Sequence, residues 1–188
     1  MELTYVTGND FKIELARKIL EPLCIKVLQK KIDCPEIQDN EIMNVSKYSA
    51  KYVSNKLNLS IIKNDSGLEI DALKGFPGPY TSYIEDTINE DGILKLLQDV
   101  ENRKACFVEV ISYCEPKLEP VSFISKTYGT IAKKKRGDFG WSFDKIFVPD
   151  SQEKTLAEYG DDERWKFWSQ DAYLQLKDYL KNKNLIKL

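Results

Sequence analysis

Four residues near the N-terminus have the types and the spacing needed to bind an anion. Thr7, Gly8 and Asn9 follow a short apolar run, and Lys12 lies one turn into the helix predicted next. The first N–H groups of a helix have no partner within the helix, and its dipole favours negative charge there. Gly8 permits close approach of the backbone, while the other three add donors and a positive charge. The alternative is a capped helix with a solvated lysine, since Walker-type glycine spacing is absent.

Two acidic residues are placed to bind a divalent cation. Glu36 lies in a loop after Pro35, and Asp65 lies at a predicted strand end, before Ser66 and Gly67. Carboxylates in loops and at strand ends bind such cations together with phosphate oxygens. The alternative is that Asp-Ser-Gly forms an ordinary turn and that Glu36 is solvated.

The remaining candidates are a lysine and an aromatic segment. Lys47 lies near the apolar stripe of the second predicted helix, where it either extends to water or supplies a second cation for phosphate. Phe139, Gly140 and Trp141 form an aromatic segment that is followed by further phenylalanines. Aromatic rings beside a glycine either stack a flat base or pack in a core.

The composition excludes several common classes of hydrolase. The 188 residues include no histidine, so Ser-His-Asp and Cys-His catalysis and histidine zinc sites are excluded in their usual forms. None of the four cysteines is spaced as CxxC, and we interpret them as buried reduced thiols rather than zinc ligands or disulfides. Any bound metal should therefore be a hard cation held by carboxylates.

The composition also sets expectations about partners and location. Twenty-eight Lys and Arg against 30 Asp and Glu give a net charge of −2, which argues against a surface that neutralises nucleic-acid phosphates. No apolar run approaches the roughly 20 residues that span a bilayer, and no basic start precedes an apolar stretch. We expect a single domain over residues 1–188 that is cytoplasmic and binds neither nucleic acid nor membrane.

Apolar periodicity predicts strands that alternate with helices and then a β-hairpin. The predicted strands are Leu3–Val6, Ile25–Leu28 and Ser60–Lys63. The hairpin joins Cys106–Tyr113 to Val121–Thr127, and its continuation through Tyr128–Ala132 is left open. The predicted helices begin after Asn9, span Glu41–Asn58, lie near Asp91–Val100 and run from about Asp162 to the end. This order favours a mixed α/β sheet with a smaller second lobe.

Taken in order, these motifs resemble the inosine/xanthosine triphosphate pyrophosphatase family, which cleaves non-standard purine nucleoside triphosphates to monophosphate and pyrophosphate. The resemblance extends from Leu3 to the last helix, and the block Asp65–Tyr80 is its most specific part. It implies an α/β fold in which a long mixed sheet and helices form two lobes around a central cleft, usually in a homodimer. The matching segments are Thr7–Lys12, Asp65–Leu68, Leu73–Tyr80, Phe139–Trp141, Asp144–Phe147 and Lys154–Glu158.

The resemblance also implies a role for each candidate residue. Thr7, Gly8, Asn9, Lys12, Lys47, Ser66 and Gly67 match the phosphate-binding residues. Glu36 and Asp65 match the acidic residues that hold Mg²⁺, for which Mn²⁺ could substitute, and that activate water, so that Asp65, Glu36 and Lys12 form the catalytic set. Phe139, Gly140, Trp141 and Asp144 match the base pocket, and Arg164 lies near it.

The sequence departs from the family pattern at positions that matter for metal and base. The family commonly has two carboxylates where this chain has Asn64 and Asp65, and Glu14 stands one position before an expected glutamate. The family's Ser-His-Arg near the C-terminus is replaced by Ser169-Gln170-Asp171. We therefore expect a weaker preference for inosine and xanthosine triphosphates than is usual in the family, or a preference for another base. A nucleotide-binding module without catalysis is the alternative from a different class.

Overall fold

The computed structural model of the chain describes residues 1–185 and contains a six-stranded mixed sheet in the order β2-β1-β3-β4-β5-β6. β1 pairs in parallel with both β2 and β3, whereas β6 pairs antiparallel to β5. The predicted hairpin is β4 and β5, neighbouring strands whose six-residue connection permits only antiparallel pairing. The strands are β1 Glu2–Val6, β2 Lys26–Lys30, β3 Ile61–Ile70, β4 Lys104–Cys114, β5 Val121–Ile131 and β6 Phe147–Pro149. The predicted α/β class with a mixed sheet is thus confirmed.

The helices pack their apolar faces inward at helical spacing. Asn9 caps α1, and the buried residues Ile13, Ala16 and Ile19 recur every three residues on one face of that helix. No helix in the described part of the chain is both long and apolar enough to cross a membrane. The helices are α1 Asp10–Leu20, α2 Ile42–Leu57, α3 Thr81–Thr87, α4 Asn89–Leu96, α5 Asp161–Arg164 and α6 Asp171–Leu185.

The chain divides into two compact units. Unit 1 comprises Met1–Asp65, Glu109–Ser125 and Gln170–Leu188, and unit 2 comprises Ser66–Val108 and Lys126–Ser169. In unit 1, residues of β1, α1 and α6 share one apolar cluster that includes Leu3, Tyr5, Ile13, Tyr173 and Leu176. Unit 2 has its own cluster, which includes Leu68, Ile84, Ile93, Phe143 and Phe147. The expectation of one domain over the whole chain stays a prediction.

Two predicted boundaries are wrong. Asp65 does not end a strand, because β3 continues through Ile70. The polar residues in its middle, Asn64 among them, bond to other parts of the chain instead of turning the backbone. The C-terminal helix is also interrupted: Trp168 has extended backbone, and the amide of Ser169 donates to Thr127 Oγ1, so the helical path stops after Phe167.

The cysteines follow the sequence interpretation only in part. All four are free in the structure, and Cys106 and Cys114 are buried in β4. Cys24 is exposed and Cys34 partly so, contrary to the expectation that all are buried. Cys24 adopts a left-handed backbone conformation at the end of a 3-10 turn, a position that does not face the core.

Candidate functional site

The turn before α1 has the geometry of a capped helix N-terminus. The amide of Asn9 donates to Thr7 Oγ1 at 3.1 Å, and Asn9 Oδ1 accepts from the Lys12 amide at 3.2 Å. Gly8 is exposed, and no atom lies within 4 Å of the place that a Cβ would occupy there. Because a negative group is stabilised by the N–H groups of the first helical turn, this turn can receive an anion beside Gly8.

Lys12 belongs to a chain of charged and polar side chains in unit 1. Its Nζ donates to Asn64 Oδ1 at 2.7 Å and lies 3.9 Å from Glu109 Oε1. Asn64 Nδ2 in turn donates to Glu109 Oε1 at 2.6 Å. Burial lowers the pKa of Lys12, and the negative charges of Glu109 and Asp65 oppose that shift. The ammonium is therefore held in place by neighbours rather than solvated, which excludes the simplest alternative for this lysine.

Asp65 has an unsatisfied carboxylate oxygen. Its Oδ2 is buried and accepts no hydrogen bond. Burial raises the pKa of this carboxyl, the cations of Lys63 and Lys12 lower it, and the charge of Glu36 raises it. Because a buried acceptor without a partner is costly, this oxygen is suited to a cation or to a water proton.

Glu36 and Lys47 are less tightly placed. Glu36 is exposed in the loop between β2 and α2 and reaches Asp65 only electrostatically. Lys47 is partly exposed on α2. Within the described residues no group of three or more acidic or cysteine side chains could hold a metal. Mg²⁺ needs no such group, since it is commonly bound by one or two carboxylates together with substrate phosphates and water.

Unit 2 contains a pocket of about 150 Å³. Aromatic rings and polar groups share its lining, which is the composition expected of a small-molecule site. Glu85 and Asp144 are its two carboxyl groups, and burial raises the pKa of both, that of Asp144 to about 6. The lining residues are Ser66, Gly67, Thr81, Ser82, Glu85, Phe107, Trp141, Phe143, Asp144 and Trp168.

Asp144 is held by Arg164, which is stacked between two indole rings. Arg164 Nη1 lies 3.2 Å from Asp144 Oδ2, and the guanidinium carbon lies 4.9 Å from the ring centroids of both Trp141 and Trp165. Its Nη2 is 3.1 Å from Asp161 Oδ1. Arg164 is thus buried behind Asp144 and is absent from the pocket lining.

The structure therefore groups the sequence candidates in two sets. Thr7, Asn9, Lys12, Asp65 and, electrostatically, Glu36 form the set in unit 1. Ser66, Gly67, Trp141 and Asp144 line the pocket of unit 2, whereas Phe139 and Gly140 do not. Phe139 is half-exposed, and Gly140 packs against the Asp144–Arg164 pair.

Sequence reasoning missed two acidic residues of these sets. Glu109 stands in an apolar strand between the buried Val108 and Val110, and that contrast was the available signal. Glu85 lies on α3, a helix that was not predicted. Nothing in its own sequence surroundings marks it, because acidic residues are common on helix surfaces.

Comparisons with known proteins converge on one family. A model described as the Ham1 family matches residues 3–174. A dITP/XTP pyrophosphatase of Methanopyrus kandleri is 43% identical over 166 residues, 88% of each chain, and one of Thermococcus kodakarensis is 43% identical over 87% of this chain and 88% of its own. The solved structure of the Staphylococcus aureus Ham1 protein is 28% identical, with a TM-score of 0.82 over 97% of this chain and 100% of the other.

Proposed function

The chain belongs to the Ham1 family, and from that premise we propose that it hydrolyses non-standard purine nucleoside triphosphates to monophosphate and pyrophosphate in a Mg²⁺-dependent reaction. The relatives that carry the name dITP/XTP pyrophosphatase support this substrate class. The observation that carries the proposal is the partly buried pair of Lys12 and Asp65, whose charges act on each other beside the N-terminus of α1.

The phosphate chain binds to unit 1 in this proposal. A triphosphate carries several negative charges, which the N–H groups at the start of α1 and the ammonium of Lys12 offset. Lys47 adds a second cation in the same unit. Ser66 and Gly67 follow Asp65 along β3 but belong to unit 2, where they line the pocket, and their role in phosphate binding stays a prediction. Stabilising charge on the outer phosphates makes pyrophosphate a better leaving group.

Asp65 takes a proton from the attacking water. Its pKa, raised by burial, keeps the carboxylate a stronger base than an exposed aspartate. The buried Oδ2 and the exposed Glu36 also fit the donor set of Mg²⁺, and Mn²⁺ accepts the same oxygen ligands. The metal, when bound, polarises the α-phosphate and screens the incoming hydroxide.

The base binds in the pocket of unit 2. Trp141 and Trp168 offer aromatic faces to any base, and stacking alone discriminates poorly. The two carboxyl groups, Glu85 and Asp144, form hydrogen bonds with polar groups at the edge of the base. Arg164 binds Asp144 through Nη1 and Asp161 through Nη2, while its buried Nε has no partner, and its role in place of the missing Ser-His-Arg motif stays a prediction. We retain the expectation of a weaker preference for inosine and xanthosine triphosphates than is usual in the family, or of a preference for another base. We also retain the expectations that the protein is a homodimer and is cytoplasmic.

A panel of triphosphates tests the proposal. Purified protein is incubated with inosine, xanthosine, guanosine or adenosine triphosphate, with Mg²⁺ or excess chelator, and pyrophosphate and orthophosphate are measured separately. We expect pyrophosphate release that is lost with chelator, and a kcat/KM for inosine triphosphate less than about 100-fold above both ordinary purines. Full activity in excess chelator would show that the reaction needs no metal. Binding of triphosphate without turnover would favour the non-catalytic nucleotide-binding module. A preference of 100-fold or more would show that another residue has replaced the lost motif.

A further inference from the structure

Glu109 is a carboxylate in the apolar strand β4. It contacts residues of the proposed site, but the proposed reaction gives it no role. Its neighbours along β4, Val108 and Val110, are buried, and its own side chain is only 21% exposed. Burial raises the pKa of Glu109, and the charge of Lys12 and a hydrogen bond from Ser125 lower it. A charged group is rarely retained in such a place unless a partner requires it.

The partner of Glu109 is an amide rather than a cation alone. Asn64 Nδ2 donates to Glu109 Oε1 at 2.6 Å, while the ammonium of Lys12 is 3.9 Å from the same oxygen. Lys12 donates instead to Asn64 Oδ1 at 2.7 Å. The order of contacts is therefore ammonium, amide and carboxylate.

This order fixes the direction of the Asn64 amide. A carboxylate only accepts hydrogen bonds and an ammonium only donates them. The NH₂ group of Asn64 must consequently face Glu109, and its carbonyl oxygen must face Lys12. Without an acceptor at position 109, the NH₂ group of Asn64 loses its partner, and only the hydrogen bond from Lys12 still holds the amide in this direction.

We propose that Glu109 is a positioning residue of this enzyme, which acts through the Asn64 amide to hold the Lys12 ammonium where it binds the triphosphate. The role rests on the proposed function. It also accounts for the departure at position 64, because the carboxylate that the family pattern puts there is supplied here from the neighbouring strand. A purely structural role, in which Glu109 only neutralises a buried cation, is the competing explanation.

Three variants separate these explanations. Glu109→Gln removes the charge but keeps an oxygen that can accept from Asn64. Glu109→Leu removes the acceptor as well. Asn64→Asp combined with Glu109→Gln moves the carboxylate into direct contact with Lys12 and leaves an amide at 109 that can donate to it. Glu69→Gln is the matched control, since Glu69 is a half-exposed strand carboxylate of unit 2 that pairs with Lys126.

The readouts are kcat and KM for inosine triphosphate, the inhibition constant of inosine monophosphate, and the thermal midpoint. For Glu109→Leu we expect kcat/KM to fall about 10- to 100-fold, on the scale of a hydrogen bond to a charged group, with less than threefold change in monophosphate inhibition. Glu109→Gln should be less affected, and the exchange variant should return to within about threefold of wild type. Glu69→Gln should leave all constants unchanged.

Two outcomes overturn the inference while the proposed function stands. One is an active wild type with unchanged kcat/KM in folded Glu109→Leu. The other is an exchange variant whose kcat/KM stays more than about threefold below that of wild type, and this comparison decides the matter if Glu109→Leu does not fold. Equal weakening of triphosphate and monophosphate together with a lower thermal midpoint would assign Glu109 a structural role. A wild type that neither binds nor hydrolyses any triphosphate would instead remove the proposed function, and the positioning role with it.

Discussion

Asp65 is the side chain most directly tied to the proposed hydrolysis, because one of its carboxylate oxygens is buried and has no partner. The Lys12 and Lys63 ammonium groups act on it electrostatically, as does Glu36. A carboxylate in such surroundings can accept a proton from water and still face a cation.

Substitution of Asp65 by asparagine should lower kcat by roughly 100-fold or more, which is the scale of the loss of a general base. The fold should persist, since burial disfavours the charged form that the substitution removes. Wild-type kcat should decline as pH falls and Asp65 takes up a proton, and bound Mg²⁺ should move that decline to lower pH. The measurements are kcat against pH and the thermal midpoint.

The matched control for this change is Asp178→Asn, an exposed aspartate on α6 of the same unit. It should leave both kcat and the thermal midpoint unchanged. If Asp65→Asn turned over as fast as wild type, Asp65 would be a structural residue of β3 and another group would activate water.

At the scale of single residues, sequence reasoning identified those whose type stands out from their surroundings. Lys12 and Asp65 were found because they accompany glycine and polar neighbours in recognisable motifs. Glu109 was missed because its partners, Lys12 and Asn64, are 97 and 45 residues away along the chain. Contacts of that separation exist only once the strands are paired.

Among the secondary-structure elements, the segment around Gly140 orders one wall of the unit 2 pocket. Trp141 precedes the 3-10 turn Ser142–Lys145, and its amide donates to Asp144 Oδ2 at 3.2 Å. Gly140 has a φ of +73°, and a Cβ there would overlap Arg164 Nη1 and Asp144 Oδ2. Glycine is therefore required both by the backbone conformation and by the ion pair packed against it.

Gly140→Ala should destabilise unit 2 by about 1–3 kcal/mol more than Gly75→Ala, because the added methyl group displaces a buried ion pair. Gly75 is the matched control: its φ is +89°, but no atom lies within 4 Å of its Cβ position, so it reports backbone strain alone. Urea unfolding of both variants measures the difference. Equal losses of stability would mean that the pair moves aside at no cost.

The strands and long helices were predictable from periodicity, whereas the interruptions were not. β1, α1 and α2 agree with their predicted segments to within about two residues because apolar spacing alone defines them. The continuous β3 was hidden by an Asp-Ser-Gly sequence that normally favours a turn. The break before α6 depends on the contact between Ser169 and Thr127, which periodicity does not encode.

For the molecule as a whole, most of the residues proposed for each part of the reaction belong to one of the two compact units. The chain passes from unit 1 to unit 2 after Asp65. The metal candidates belong to unit 1, as do the phosphate candidates Thr7, Gly8, Asn9, Lys12 and Lys47, whereas Ser66, Gly67 and the aromatic pocket belong to unit 2. The mixed α/β class followed from the order of strands and helices. The assignment of each segment to a unit did not, because unit 1 is assembled from three separate stretches.

In the proposed reaction, water attacks the α-phosphorus with the help of Asp65 and releases pyrophosphate that the cations of unit 1 stabilise. Hydrolysis of inosine triphosphate in ¹⁸O-labelled water shows which phosphorus atom is attacked. The label is located by mass spectrometry of the separated products. We expect the label in inosine monophosphate and unlabelled pyrophosphate, since the new P–O bond then forms at the α-phosphorus. Label in pyrophosphate would mean attack at the β-phosphorus, and label in orthophosphate would mean attack at the γ-phosphorus. Either result would show that water does not attack the α-phosphorus.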